Sequence, residues 1–193
     1  MKEQEVKNMT NIVLIHAQGA DAHSNWYEWL EQSLRLEGYH SDIVNIQHDL
    51  PVNMEEWLKQ LNEQIEISQY ETYFVTHGFG TLAGLKYLEQ HPDIRIEGFF
   101  SIAGFGPNAE GVNPDLHVPD VTLDIEDLKS RIDYFYGIAS KDDSNVPYQD
   151  TERLVQAFDG DMKVIDEAGH FTTEDGYDTF LALKNNMIKR MAN

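Results

Sequence analysis

The segment Thr72-Tyr-Phe-Val-Thr-His-Gly-Phe-Gly-Thr-Leu82 decides the fold of this chain. Residues 72–76 are all β-branched or aromatic, which predicts a buried strand. Leucines then recur at positions 82, 85 and 88, which is the spacing of an amphipathic helix. The strand pattern and the helix pattern almost meet, so we expect the chain to turn sharply at Gly78.

Strand-like and helix-like patterns alternate along the rest of the chain. The strand candidates are 11–16, 43–47, 72–76, 96–103, 132–136 and 162–165. The helix candidates are 26–36, 54–67, 80–90, 148–158 and 177–191. Apolar strands joined by helices of this length favour crossover connections and a buried parallel sheet with helices on both faces. We therefore predict an α/β protein: one three-layer αβα domain over residues 11–193, with a six-stranded, mainly parallel sheet in the order 2-1-3-4-5-6.

Two stretches lack these patterns. Residues 1–10 are mostly polar and lack the apolar core of a signal peptide, so we interpret them as a frayed leader. Residues 104–124 are rich in Gly, Pro, Asn and Asp and show no periodicity. That composition predicts a long loop or a small lid over the functional site.

The composition argues against several classes of function. Thirty-four acidic residues against fourteen basic ones give a net charge of −20, which repels nucleic acid. No cysteine is present, and the eight histidines show no metal-binding spacing such as H-E-x-x-H, so neither a metal nor a cofactor is indicated. No apolar run approaches the roughly 20 residues of a membrane helix. We expect a soluble cytoplasmic protein, either a monomer or a weak homodimer.

The turn at Gly78 has the setting of a known catalytic motif. In G-x-S-x-G, a strand-to-helix turn lifts a serine above the sheet, where its hydroxyl attacks a bound acyl group. Here the pentapeptide is Thr76-His-Gly-Phe-Gly80, and Gly78 stands where the serine would be. The chain therefore has the surroundings of a nucleophile without a side chain to act as one.

Two further residues follow in the chain order of nucleophile, acid and histidine that this motif requires. Asp143 comes after the strand candidate 132–136, and His170 comes after the candidate 162–165. Both lie past the carboxyl ends of predicted strands, where ligands bind in open α/β sheets. Asp142 is the alternative acid, although the spacing to Val146-Pro147 favours Asp143.

These motifs together resemble the small α/β-hydrolases grouped around YdeN and retinoblastoma-binding protein 9. The matching pieces are Ile12-Val-Leu-Ile-His16 with Trp26 and Trp29, Leu50-Pro51 with Glu55-Glu56-Trp57, the turn at Gly78, Asp143-x-x-Val-Pro147 and Gly169-His170. The resemblance extends from Asn11 to Arg190. It implies an α/β-hydrolase fold and esterase-like chemistry, with Asp143 as triad acid, His170 as general base and Gly78 at the nucleophile position. The chain departs from the family at Gly78 and at Ala17, where the family usually has glycine.

Backbone donors of an oxyanion hole do not depend on the missing serine. We expect them to be the N–H of Phe79 and that of Ala17 or Gln18. His16 ends the first predicted strand and is as well placed to bond a loop backbone as to bind a ligand. His77, beside the turn, is expected mainly to pack and to support the turn.

Other serines do not replace the missing one. Ser24 is interpreted as the N-cap of a helix, and Ser101 lies inside a predicted strand. Three hypotheses remain. In the first, the protein is a catalytically silent relative that binds a small ester, amide or carboxylate ligand or a protein. In the second, Asp143 and His170 activate a water molecule in the space left by the missing serine side chain. In the third, Gly78 is an introduced substitution in an ordinary serine esterase or amidase.

Overall fold

The computed structural model describes residues 9–67 and 71–192. The strands are β1 Thr10–Ile15, β2 His40–Val44, β3 Glu71–His77, β4 Gly98–Ile102, β5 Phe135–Ser140 and β6 Asp161–Ile165. The helices are α1 Tyr27–Leu36, α2 Met54–Gln64, α3 Phe79–Gln90, α4 Ile125–Lys129, α5 Tyr148–Ala157 and α6 Leu181–Met191. The predicted leader lies outside the described residues except for Met9 and Thr10, and Thr10 already belongs to β1.

The strands form one parallel sheet in the order β2-β1-β3-β4-β5-β6, which confirms the predicted topology. β1 is an interior strand next to the edge strand β2, because Ile15 pairs with Val44 on one side and with Thr76 on the other. Because all strands are parallel, the carboxyl ends of β1, β3, β5 and β6 lie along the same edge of the sheet, perpendicular to the strands. The predicted site residues lie at the carboxyl ends of these strands or just after them.

The two faces of the sheet bury separate hydrophobic cores. Val13 and Ile15 of β1 pack with the side chains of α2, α3 and α5. Ile12 and Leu14 point to the opposite face, where they pack with α1 and α6. This alternation follows from the two-residue period of a strand, and it produces the expected three layers.

Two predicted strands are shifted along the chain. β2 was expected at 43–47 but occupies His40–Val44, because the polar residues His40, Ser41 and Asp42 also pair with β1. The next residues leave the sheet, since glutamine side chains of α2 take their backbone N–H groups: Gln64 accepts from Asn45 at 2.9 Å and Gln60 from Gln47 at 2.7 Å.

β5 was expected at 132–136 but occupies Phe135–Ser140. Ile132 forms only an isolated bridge to Ile96. Glycine is a poor strand former, which is why the prediction stopped before Gly137. In the structure a Cβ at Gly137 would lie 2.4 Å from Val155 of α5, so the glycine is required by the close approach of that helix.

Two helix bounds differ from the prediction by more than one residue, and one helix was not predicted. α2 ends at Gln64 instead of residue 67, with Ile65 in extended conformation. α6 begins at Leu181 instead of residue 177. Tyr177 belongs to a preceding turn, in which its N–H donates to the Thr172 carbonyl. The short helix α4 was not predicted; Asp124 caps it by accepting from the Asp127 N–H at 3.1 Å.

The stretch 104–124 is a long loop that contains one short 3₁₀ turn, Pro114–Leu116. Its tip is anchored to α5, since Asp150 accepts from the N–H groups of Glu110 (2.9 Å) and Gly111 (2.8 Å). The loop lines an open groove of about 720 Å³ together with Leu82 of α3. No helix within residues 9–67 and 71–192 is long and apolar enough to cross a membrane.

Candidate active site

Gly78 forms the turn between β3 and α3. Its backbone has φ 53° and ψ −125°, a conformation that glycine tolerates and that costs other residues about 1 to 3 kcal/mol. Its N–H donates to the Ile102 carbonyl at the end of β4 (3.0 Å). The turn thus has the shape that presents a nucleophile above a sheet, but no side chain is presented.

His170 and Asp143 lie together at the same edge. His170 Nδ1 is 2.8 Å from Asp143 Oδ2, and both side chains are buried. Asp143 Oδ1 accepts from the N–H groups of Asn145 (2.8 Å) and Val146 (3.0 Å). The carboxylate is therefore held in one orientation. Since it accepts from the ring, Nδ1 of His170 carries a proton.

Asp142 has a different task from its neighbour. Its Oδ1 accepts from Ser140 Oγ (2.6 Å), Ala168 N–H (3.0 Å) and Gly169 N–H (2.9 Å). The hydroxyl of Ser140 and these N–H groups lower the pKa of Asp142. Asp142 joins the loop after β5 to the loop that carries His170, and Asp143 is the residue that contacts the imidazole.

Two residues outside the predicted set position the His170 loop. Asp175 Oδ2 accepts from the N–H of His170 (2.9 Å) and from the N–H and hydroxyl of Thr172 (3.2 and 2.8 Å). Trp26 Nε1 donates to the Phe171 carbonyl (3.1 Å). The spacing Thr172-x-x-Asp175 is the signal that could have identified this turn from the sequence, because Thr and Asp side chains bond nearby backbone.

His77 borders the same groove as His170, but its side chain is fully buried and both ring nitrogens are engaged in hydrogen bonds. Its Nε2 donates to the His170 carbonyl (2.8 Å), and its Nδ1 accepts from the Tyr27 hydroxyl (2.7 Å). Tyr27 in turn accepts from the Ala17 N–H (3.1 Å). Burial lowers the pKa of His77 well below its ordinary value and raises that of Tyr27, so both are neutral. These hydrogen bonds join the end of β3 to the His170 loop and, through Tyr27, to Ala17.

His16 is also engaged by backbone. Its Nε2 accepts from the Ile46 N–H (2.9 Å) and its Nδ1 donates to the Ala17 carbonyl (2.8 Å). The ring is fully buried, and burial lowers its pKa to about 4. His16 therefore holds the loop after β2, and both of its ring nitrogens are already bonded to backbone.

The predicted oxyanion donors are occupied in an unexpected way. Ala17 cannot serve, because its N–H donates to Tyr27. The Phe79 N–H, at the start of α3, donates to Oε1 of the Gln18 side chain (2.8 Å). Nε2 of the same carboxamide lies 3.4 Å from Nε2 of His170. Gln18 was expected to contribute its backbone, and it is instead the side chain that fills the space above Gly78.

An open groove of about 450 Å³ borders Gln18 and His170. Most of its other walls are polar and include Ser24, Asn25 and Thr173. Ser24 is not the helix N-cap that the sequence indicated, since its hydroxyl donates to Asp21 (3.0 Å) within a turn.

Ser101, as expected for a strand residue, is fully buried, and its hydroxyl bonds that of Thr81 (3.0 Å). Over the described ranges 9–67 and 71–192, no group of three or more His, Cys, Asp or Glu side chains is arranged to hold a metal ion.

Fold and site geometry define a class of protein. Residues 12–187 match the family model for serine hydrolases, and the chain belongs to this family. Among curated proteins it is similar to YdeN of Bacillus subtilis, with 27% identity over 168 residues that cover 86% of this chain and 88% of YdeN.

Solved structures agree at the level of the fold. The crystal structure of the ydeN gene product superposes with a TM-score of 0.86, at 24% identity over 95% of this chain and all of that one. A YdeN-like hydrolase from Pectobacterium atrosepticum has a TM-score of 0.69 at 18% identity, covering 97% and 93% of the two chains. Est1E from Butyrivibrio proteoclasticus with bound ferulic acid also has a TM-score of 0.69, at 14% identity over 97% and 91%.

Proposed function

We propose that this serine hydrolase family member binds a small carbonyl-containing ligand and has lost covalent hydrolysis. The observation that carries the proposal is the turn at Gly78, which has the backbone shape of a nucleophile turn and no hydroxyl. Acyl-enzyme formation needs an oxygen or sulfur that attacks the carbonyl carbon. Loss of one triad member typically lowers the rate by several orders of magnitude.

Binding groups remain at the site after the loss of the serine. The Phe79 N–H lies at the N-terminus of α3, where backbone donors favour a carbonyl or carboxylate oxygen. His170, oriented by Asp143, supplies a second polar contact. The ligand class that fits these groups is a small ester, amide or carboxylate. A protein partner is the alternative occupant of the site. For the oligomeric state, we expect a monomer or a weak homodimer.

The intact pair of Asp143 and His170 favours one other candidate function, hydrolysis by an activated water. The water would have to lie above Gly78. That space is taken, because a Cβ built on Gly78 would be only 2.5 Å from Oε1 of Gln18. This mechanism therefore requires Gln18 to leave first.

Two assays test the proposal. We expect p-nitrophenyl acetate to be hydrolysed no faster by the wild-type protein than by a His170→Ala control, and a fluorophosphonate probe not to label the wild type. Turnover that depends on His170 without labelling would support the water mechanism. Labelling would reveal a nucleophile and refute the proposal.

A further inference from the structure

The carboxamide of Gln18 makes the contacts that a bound ligand would make. Its oxygen accepts from the Phe79 N–H, and its nitrogen faces Nε2 of His170. The orientation of the amide is determined by its neighbours. A backbone N–H needs an acceptor opposite it, so the amide oxygen must point to Phe79.

The histidine supports the same orientation. Its Nδ1 donates to Asp143 at 2.8 Å, so in the neutral ring Nε2 has a free lone pair. An NH₂ group supplies a donor to that lone pair, and an ester supplies none. One donor from Phe79 and one acceptor from His170 are thus complementary to a primary carboxamide.

The position of Gln18 is built into the surrounding backbone. The Ala17 N–H on one side donates to Tyr27 (3.1 Å), and the Gly19 N–H on the other side donates to Nε2 of His48 (2.9 Å). The main chain is held on both sides of the residue, while the side chain reaches the site through rotatable bonds. It can therefore leave without unfolding the loop.

Glycine at position 78 makes this arrangement possible. A Cβ there would lie 2.5 Å from Gln18 Oε1, 3.4 Å from its Cδ and 3.3 Å from Ala17 Cβ. Contacts under 3.0 Å force one group to move, so a serine and the seated glutamine exclude each other.

We propose that the space above Gly78 is a binding site for a small molecule with a primary carboxamide, and that the Gln18 side chain is its internal occupant, which such a ligand displaces. The inference rests on the proposed function, because a ligand is retained only if the site binds it without cleaving it. It adds the ligand class and the residue that controls access.

The test follows the Phe79 backbone amide by ¹H–¹⁵N NMR during titration with propionamide. A ligand that must displace an internal competitor loses apparent affinity in proportion to the closed population. We expect the apparent Kd to be at least about tenfold lower in Gln18→Ala than in the wild type. Gln32→Ala, on the exposed face of α1, is the matched control and should behave as the wild type does.

N,N-Dimethylpropionamide, which has no N–H, should bind Gln18→Ala much more weakly than propionamide. Equal binding of the two amides, equal binding by wild type and Gln18→Ala, or absence of binding to Gln18→Ala would each overturn the inference. If Gln18→Ala does not fold, Gln18→Asn, whose shorter side chain cannot span the site, replaces it. Propionate in the ¹H spectrum would show hydrolysis and contradict the proposed function while leaving carboxamide recognition intact.

Discussion

Gly78 and Gln18 are two parts of one local arrangement. The positive φ of Gly78 keeps the sharp turn of the family, and the absent Cβ leaves room for the carboxamide. Phe79 is the point of contact, since its N–H binds the Gln18 oxygen. A side chain at position 78 therefore requires the Gln18 side chain to move from its place above the turn.

Gly78→Ser tests this dependence. The serine must adopt a backbone conformation that costs about 1 to 3 kcal/mol, so we expect a lower melting temperature than that of the wild type. We expect less esterase activity in Gly78→Ser alone, where the displaced Gln18 side chain still competes for the Phe79 N–H, than in Gly78→Ser with Gln18→Ala. p-Nitrophenyl acetate kinetics and fluorophosphonate labelling measure the gain.

The control adds His170→Ala to this double variant and should abolish the gain, since the histidine is the proposed base. A well-folded double variant that is neither active nor labelled would show that more than the serine is missing. Gln18→Ala alone should remain inactive.

At the scale of elements, the site depends on contacts between segments that are distant in sequence. Tyr27 at the start of α1 joins the loop after β1, through Ala17, to the end of β3, through His77. His77 in turn donates a hydrogen bond to the His170 carbonyl, in the loop after β6. Two loops and the end of β3 are thereby held in a fixed relation at the carboxyl ends of the strands.

Tyr27→Phe should loosen this relation. The substitution leaves the buried Ala17 N–H and Nδ1 of His77 without their partner, and an unsatisfied buried polar group costs about 1 to 3 kcal/mol. We expect a loss of at least that size in the free energy of unfolding, measured with urea. Tyr87→Phe on α3, which removes a hydroxyl on the opposite face of the sheet, is the control and should cost less. Equal losses in the two variants would contradict the proposed role of Tyr27.

For the whole molecule, buried neutral histidines link stability to pH. Burial lowers the pKa of His16 from 6.5 to about 4, so below pH 6.5 the unfolded chain binds a proton that the folded chain does not. Stability from this residue is complete above about pH 6.5 and falls as the pH drops toward 4. His77 acts in the same direction.

His16→Gln isolates this contribution, because a glutamine oxygen can accept from the Ile46 N–H and does not titrate. Between pH 7.5 and 5, we expect the wild type to lose about 2 kcal/mol more in free energy of unfolding than His16→Gln does. Urea unfolding at the two pH values measures the difference. The comparison removes the effect of the charge of −20, which both proteins share. Parallel pH profiles would show that His16 is not the titrating group.

Much of the architecture could be predicted from local patterns. The alternation of strands and helices predicted a parallel sheet with helices on both faces, and crossover handedness reduced the possible sheet orders to a few. The glycine at the strand-to-helix turn, and Asp143 and His170 after later strands, could also be read from the chain, since a parallel sheet brings the ends of its strands to one edge. Strand bounds failed where pairing overrode propensity: polar His40 belongs to β2, and Gly137 lies within β5.

The sequence by itself determined the fold class, the missing hydroxyl at position 78 and the candidate acid and base, because these depend on residue identity and spacing. Only the tertiary structure decided which aspartate meets His170 and where the Gln18 side chain lies. Those outcomes depend on side-chain directions across loops that follow different strands, and no periodicity encodes them. The sequence predicted Gln18 as a candidate backbone donor of the oxyanion hole. In the folded protein its side-chain carboxamide lies between the Phe79 N–H and His170 and occupies the site.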